Sequence, residues 1–416
     1  MEYPIIIIGS GVAGLYYVKK FSPINYLILE RENRIGGRVF NIKWNNKQIS
    51  LGGGVIKPTN KYTLELCKEY GLETSEFSSS YNFVDYEGNV PITDTTTDTT
   101  IVNEKYYYKD NKNIIEFMRK VYNKNSNEIK RMKLTFDEFL EKYFNFKISK
   151  TIKKNLLYLS ELNADPGQVL QDDTIYELLR VADFKLMSIK SGGYTLLLKK
   201  LLEKINRDNI KLNTCVVSIN RIGKKYQLVC SDGSNYYCEK LVIATEKNPY
   251  IQLNIPNISS IYNLVNGCEY IRVYSYWKNG HGLTSSMRTQ NLPGKVILID
   301  DKVLMACYTE YYNANRLLKL LEKNSKEDQL QILYDLLNNS GIIVPKPDDI
   351  IFKYWNVGTH YLNPNTDFKI MRNMIKNMAL EENVYLVGEI FASTHGWVDS
   401  AIESVELLYH DTNVNT

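Results

Sequence analysis

Metal-binding, disulfide, membrane-spanning and nucleic-acid-binding patterns are all missing from this 416-residue chain. Its six cysteines, Cys67, Cys215, Cys230, Cys238, Cys268 and Cys307, form no CxxC pair, so the spacing of a zinc or thioredoxin-like centre is absent and no metal is expected. Six cysteines in a chain this long make no disulfide framework, and buried free thiols are expected even for Cys230 and Cys238, which flank the turn Ser231-Asp232-Gly233-Ser234. No apolar run approaches the ~18 residues of a membrane helix. The first apolar run, Ile5 to Ile8, leads straight into a glycine turn, so the amino terminus is expected to belong to the fold rather than to a signal peptide. The polar end, Asp411 to Thr416, carries no anchor, and a cytoplasmic location is the expectation. Lys plus Arg is 51 against 47 Asp plus Glu, a formal charge of +4, which is too little field to argue for nucleic acid. There is no Ser-His-Asp or Cys-His signature and no internal repeat.

What is present is an ordinary globular composition: 44% hydrophobic and 24% charged residues suffice for a sizeable core. The 32 tyrosines read first as a compositional bias toward AT-rich codons. Residues 3–8 read as a buried strand, 12–21 as a helix and 25–30 as the next strand, a β-α-β unit of roughly 30 residues. Helices are expected at 64–70, within 112–160, at 194–205, along 316–338 and at 400–409. Strands are expected through 211–245 with a hairpin at Asp232-Gly233, and at 269–277, 295–309 and 384–388. The Thr/Asp run 94–100 reads as an exposed loop. The basic residues of 112–160 alternate with acidic ones and read as a solvated helical face.

The chemistry begins at Gly9-Ser10-Gly11-Val12-Ala13-Gly14, placed between the first strand and the first helix. The glycines permit a tight turn (Gly9), close approach of a pyrophosphate (Gly11) and helix-on-strand packing (Gly14), with the diphosphate meeting the helix N-terminus beside Ala13. Glu30 ends the second strand 19 residues after Gly11, where a carboxylate binds ribose hydroxyls. The run then continues as Glu30-Arg31-Glu32-Asn33-Arg34-Ile35-Gly36-Gly37-Arg38. An ordinary NAD site has no reason for this second glycine pair.

That continuation resembles the flavin-containing amine oxidase family, whose monoamine, polyamine and L-amino-acid oxidases carry an R-x-G-G-R segment after the ribose-binding Glu. The resemblance implies that Arg31, Gly37 and Arg38 contact FAD, and that Gly53 and Gly54 of Leu51-Gly52-Gly53-Gly54 pass near the flavin ring. It implies that Val217, in Cys215-Val216-Val217-Ser218-Ile219, pairs through its backbone with adenine. Val387-Gly388-Glu389 and Ser393-Thr394-His395-Gly396-Trp397-Val398 resemble the family's last flavin motif, which carries over Gly388, Glu389, Trp397 and Val398 as cofactor contacts. The helix that follows is implied to point its N-terminus at the pyrimidine end of the flavin.

Several positions depart from the family pattern. Many members carry a lysine bonded through water to flavin N5; the nearest match here is Arg272, which stays protonated and is suited to ordering a water or binding a carboxylate. Of the two aromatic walls around the substrate amine, Trp397 matches one. The other falls at His360, with Tyr361 beside it. Covalent members attach FAD through a cysteine at about the position of Thr359, so noncovalent FAD is implied. Ser400 and Val405 stand where the family has glycine. His395 reads as a structural residue rather than a general base.

The implied fold is α/β: a Rossmann-like FAD-binding domain (1–80, 190–250 and 380–416) interleaved with a mixed-sheet-plus-helices substrate-binding domain (81–189 and 251–379). The implied function is oxidation of an amine by hydride transfer to flavin N5, with O2 as acceptor, imine hydrolysis and release of hydrogen peroxide. Two alternatives keep the fold: another reaction type (desaturase, porphyrinogen-oxidase-like or non-redox), or a catalytically inactive FAD-binding protein. Tyr270, Tyr274 and Tyr361 are candidates for an aromatic-lined pocket, and the near-neutral charge fits a small, partly apolar substrate. The expected partners are an amine-like small molecule and O2, without nucleic acid or membrane anchor.

Overall fold

The computed structural model describes residues 1–78, 82–84, 101–102, 105–106, 114–156, 158–171, 175, 185–247, 252–289, 292–364 and 366–413. The Thr/Asp run 94–100 lies outside them. The chain divides into two compact units: Met1–Phe77, Leu186–Gly267 and Thr366–Thr416 make the first, and Ser78–Lys185 and Cys268–Asn365 the second.

The first unit is built on an eight-stranded sheet. Its centre is parallel: Glu2–Ile8 lies between Tyr26–Leu29 and Asn235–Ile243. Ile6, Ile7 and Ile8 are buried, as are Leu27, Ile28 and Leu29. Such unbroken apolar runs are what a strand covered on both faces requires. Asn235–Ile243 changes neighbours along its length. Its first half pairs antiparallel with Lys225–Cys230, while Leu241 to Ile243 also pair parallel with Val384–Leu386. The helix Val12–Phe21 packs against the last helix, Val398–Asn413, where Lys20 pairs with Glu406 at 2.7 Å.

The second unit holds a six-stranded sheet in the order Asp349–Leu362, Val265–Tyr276, Val303–Glu310, Lys295–Leu298, Met287–Thr289, Asn82–Val84. Alternation along Val265–Tyr276 serves two cores. Cys268 joins a cluster with the helices Ile114–Met132, Phe136–Tyr143 and Phe146–Asn155. Ile271 and Val273 join another with Leu317, Leu333 and Leu337. Among the described residues, no helix is long and apolar enough to cross a membrane.

Two local expectations change. The stretch 316–338 is two helices, Tyr311–Leu321 and Lys326–Asn339, separated because Ser325 caps the second by accepting from the Asp328 N–H. A helix at Phe368–Glu382 went unread; Asp367 caps it, and Met371, Ile375, Met378 and Ala379 form its buried stripe. All six cysteines are free, five of them buried.

Candidate active site

The glycine turn shows which glycines the fold itself needs. Gly9 has φ +100°, and an added Cβ would lie 2.7 Å from the Ala244 carbonyl oxygen. At Gly14 it would lie 2.1 Å from the Gly9 oxygen. Close strand-helix packing therefore accounts for both. Gly11 is different. Its φ of −70° suits any residue, and the atom nearest an added Cβ is the Gly37 Cα, 4.0 Å away. The second glycine pair lies against the first, with Gly36 N–H donating to Ser10 O at 3.0 Å. Gly11 thus borders open space where the helix Val12–Phe21 begins. No side chain caps that end and no acid stands in its first turn. Backbone donors and the positive end of the helix dipole, with Ala13 in the first turn, form a ready anion site.

Glu30 is 5% exposed, not a surface residue. Its Oε2 accepts from Ser10 N (2.8 Å) and Ser10 Oγ (2.7 Å), and its Oε1 accepts from Glu32 N (2.9 Å). The carboxylate ties the end of the second strand to the glycine turn. Each oxygen has further acceptor capacity. Arg31 turns to Glu246 at 2.8 Å and Glu32 at 3.5 Å, an exposed ion pair worth about 0–1 kcal/mol.

Arg38 and Glu389, remote in sequence, meet at 3.0 Å. Glu389 is 4% exposed, and its other oxygen accepts from Gly396 N at 2.6 Å. One carboxylate thus links the Gly-Gly-Arg segment to the turn before Trp397. Gly52 is held by sterics, since its added Cβ would lie 1.9 Å from Arg38 O. An added Cβ at Gly53 would lie 3.3 Å from Val398 Cγ2, and one at Gly54 2.7 Å from Ser50 Oγ. The Gly54 requirement is therefore met within the chain. Gly388 has φ +136° and donates to Ser404 Oγ at 2.8 Å. Ser400 and Val405 are fully buried, so the protein itself fills the space glycine would leave there. His395 is also buried. Val217 falls where the pairing of Val216–Ile222 with Lys225–Cys230 shifts register. Such a bulge takes one residue out of the ladder, freeing backbone groups for another partner.

Trp397 is half-buried, and the Lys57 ammonium stands over its ring, 4.4 Å from the centroid. The sequence reading missed Lys57. It is 3% exposed, and the only hint was a lysine closing the apolar pair Val55-Ile56 after the glycine run. Such a contact is worth about 1–2 kcal/mol when desolvated. The first turn of Val398–Asn413 carries Asp399, which accepts from Thr63 N at 2.6 Å. Burial holds its carboxyl above the usual range.

In the second unit, Arg272, His360 and Tyr361 come from neighbouring strands. Arg272 lies over the Tyr308 ring at 4.6 Å. Tyr158, Tyr270 and Tyr308 pack together with centroids 5.5–6.2 Å apart. The buried Lys295 donates to Tyr158 Oη at 2.8 Å. Glu310, 2% exposed, accepts from Ser160 N at 2.7 Å. Burial pushes its carboxyl up to about 7. Gly358 lies against this cluster, because an added Cβ would sit 2.5 Å from the Tyr270 ring. Tyr361 is 7% exposed and belongs to the helical core with Cys268 and Phe144. His360 is its neighbour on a strand, so the two side chains point to opposite faces. His360 itself is 1% exposed. Tyr274 is likewise buried, which leaves Tyr270 as the half-buried member of the three tyrosines singled out from sequence.

A family model described as flavin containing amine oxidoreductase matches residues 16–249, more than half of the chain. The chain belongs to that family. Curated relatives match over a shorter stretch. A flavin-containing amine oxidase of Danio rerio is 34% identical over 87 residues, 20% of this chain and 17% of its own. Amine oxidase A of Sus scrofa is 35% identical over 85 residues, 20% of this chain and 16% of its own. The chain thus spans less than a fifth of the length of these relatives. Solved structures agree along the whole chain. A double mutant of putrescine oxidase with redesigned cofactor binding has a TM-score of 0.69 at 13% identity, covering 99% of both chains. Wild-type putrescine oxidase bound to putrescine has a TM-score of 0.68 at 13% identity, also covering 99% of both. This likeness establishes the flavin amine oxidase fold.

The residues present fit a flavin dinucleotide. Gly11 leaves room for a diphosphate at an uncapped helix start. Glu30 is buried with acceptor capacity, and Arg38 adds a guanidinium whose fixed donors match phosphate oxygens.

Proposed function

We propose that this protein is an FAD-dependent amine oxidase that holds FAD without a covalent bond. The opening at Gly11, in a chain of this family, carries the reading. Gly9, Gly11, Ala13, Gly14 and Gly37 would receive the diphosphate, Glu30 the ribose hydroxyls, and Val217 the adenine through its backbone. Arg38, Gly53, Gly54, Gly388, Glu389, Trp397 and Val398 would surround the rest of the cofactor, with Arg31 contributing through its charge. Thr359 offers no thiol for a covalent link. When bound, FAD supplies a hydride acceptor for amine oxidation, with O2 taking the electrons to hydrogen peroxide while water hydrolyses the imine.

The chain's own residues orient and desolvate. Trp397 would present its ring to a neutral amine; within the second unit, His360 would offer a group to the substrate and Arg272 would hold a water or a carboxylate. We place the protein in the cytosol, acting on a small molecule rather than on nucleic acid or a membrane.

The test is spectroscopic. Purified protein should be yellow, or become so on addition of FAD, and the cofactor should leave on denaturation. Anaerobic mixing with a panel of amines, amino acids and polyamines should bleach the visible bands with at least one of them. A colourless protein that cannot be reconstituted would end the FAD reading, and a yellow protein that no amine bleaches would end the amine reading.

A further inference from the structure

Lys57 belongs to no part of the site read from sequence, yet its place is closely defined. Its N–H donates to Asn60 Oδ1 at 2.7 Å, and Asn60 N–H returns a bond to Lys57 O at 3.0 Å. Ile56, just before it, exchanges two 2.8 Å backbone bonds with Met187. Val55 O accepts from Tyr194 Oη at 3.1 Å. The segment is therefore fastened on both sides of the lysine. The residue is 3% exposed, and its ammonium stands 4.4 Å from the Trp397 ring centroid. Its charge also acts on Asp399, opposing the upward effect of burial on that carboxyl.

An aromatic ring attracts a cation through its electron-rich face. Here the protein brings its own cation to the ring. A second ammonium nearby meets like-charge repulsion in a setting poorer in water than the surface, where such repulsion is strong. A methyl group meets no such repulsion, and a carboxylate is attracted.

We propose that Lys57 is a specificity-determining residue, selecting amines whose non-reacting end carries no second positive charge and excluding diamines and polyamines from Trp397. This rests on the amine-oxidase reading above, in which Trp397 borders the substrate.

The decisive comparison uses three probes of one length that differ at the far end: 1-aminobutane, 1,4-diaminobutane and 4-aminobutanoate. Rates of anaerobic flavin bleaching would be measured with the holoenzyme, with Lys57→Met, which keeps the apolar stem, and with Lys57→Arg, which keeps the charge. Wild type and Lys57→Arg should prefer 1-aminobutane or 4-aminobutanoate over the diamine. Lys57→Met should move the diamine-to-monoamine ratio of kcat/KM at least tenfold toward the diamine, which corresponds to about 1.4 kcal/mol. An unchanged ratio in Lys57→Met would overturn the proposal. A second readout needs no turnover. Tryptophan emission of the full chain would be titrated with tetramethylammonium chloride against sodium chloride at equal ionic strength. Saturable quenching should appear in Lys57→Met, be absent from wild type and disappear when Trp397→Phe is added. Identical curves for wild type and Lys57→Met would reject the role of Lys57. If no amine bleaches any of the three proteins, the amine-oxidase reading fails alone, and the emission titration decides for or against Lys57.

Discussion

The glycine turn of the first unit and the tyrosine cluster of the second make polar sites in opposite ways. In the turn, backbone carries the function: Gly9 and Gly14 are required by carbonyls of the chain itself, and Gly11 leaves a space. In the cluster, side chains make the site: Tyr158, Tyr270 and Tyr308 meet in tilted and edge-on contacts, with Arg272 and Lys295 over their rings and Glu310 buried. A backbone site is specified largely by short sequence spacings, although the carbonyl set against Gly9, that of Ala244, comes from a distant strand. A side-chain site is specified by residues from several strands and is sensitive to protonation.

The sharpest way to break this contrast is inside the turn. Gly14→Ala sets a methyl against the Gly9 oxygen, which is backbone and has little freedom to move. The expected loss is about 3 kcal/mol, the upper end for overpacking, read by denaturant unfolding. Gly11→Ala should change stability by less than about 0.5 kcal/mol, as surface substitutions do, yet weaken FAD binding at least tenfold in a reconstitution titration. Equal destabilisation by the two would show that Gly11 serves the fold and not a ligand.

Next comes Glu310, which should make the second region sensitive to pH. Burial raises its carboxyl from 4.5 to about 7, against the opposing bonds from Ser160 and Tyr270. Below pH 4.5 both folded and unfolded chains hold the proton. Between 4.5 and 7 the folded chain keeps it while the unfolded chain releases it, so stability falls as pH rises through that window. Glu310→Gln removes this dependence. Its stability relative to wild type should grow by roughly 2–3 kcal/mol between pH 4.5 and pH 8, on the scale of ~1.4 kcal/mol per pKa unit. A gap that stays constant with pH would mean that Glu310 is ordinary.

Arg38→Gln tests the link between the glycine segments and the carboxy-terminal turn. It removes one partner of the buried Glu389 carboxylate and leaves the bond from Gly396 N. The expected cost is about 2 kcal/mol, together with weaker FAD retention. A double variant with Glu389→Gln should recover part of the stability but not the affinity. Recovery of both would assign the pair to structure alone.

Legibility in the sequence follows the same division. The run Ile5 to Ile8, the glycines and Glu30 are short-range patterns, and the strand, turn, helix and strand they form follow from sterics and burial over thirty-odd residues. The Ser325 cap and the stripe Met371, Ile375, Met378 and Ala379 were also local patterns and could have been read. Other features had no local signal. Lys57 meets Trp397 only because two distant segments converge. The pairing of Arg38 with Glu389 is equally non-local. His360 and Tyr361 are adjacent in sequence, yet adjacency on a strand separates their side chains to opposite faces.

That last point gives the smallest effect and a clean separation. Tyr361 lies in the helical core with Cys268 and Phe144, and burial holds its phenol up at about 12, so it stays protonated throughout the working range. Tyr361→Phe keeps the ring and removes only a hydroxyl. It should cost less than about 1 kcal/mol, within the range of one net hydrogen bond, and leave the KM for any oxidised amine unchanged. His360 is on the opposite face of the same strand, so His360→Gln should alter KM while the Tyr361 variant does not. The pair therefore asks one question of one strand: which face meets the substrate. A KM shift in Tyr361→Phe with none in His360→Gln would reverse the assignment and move the aromatic wall to the Tyr361 side.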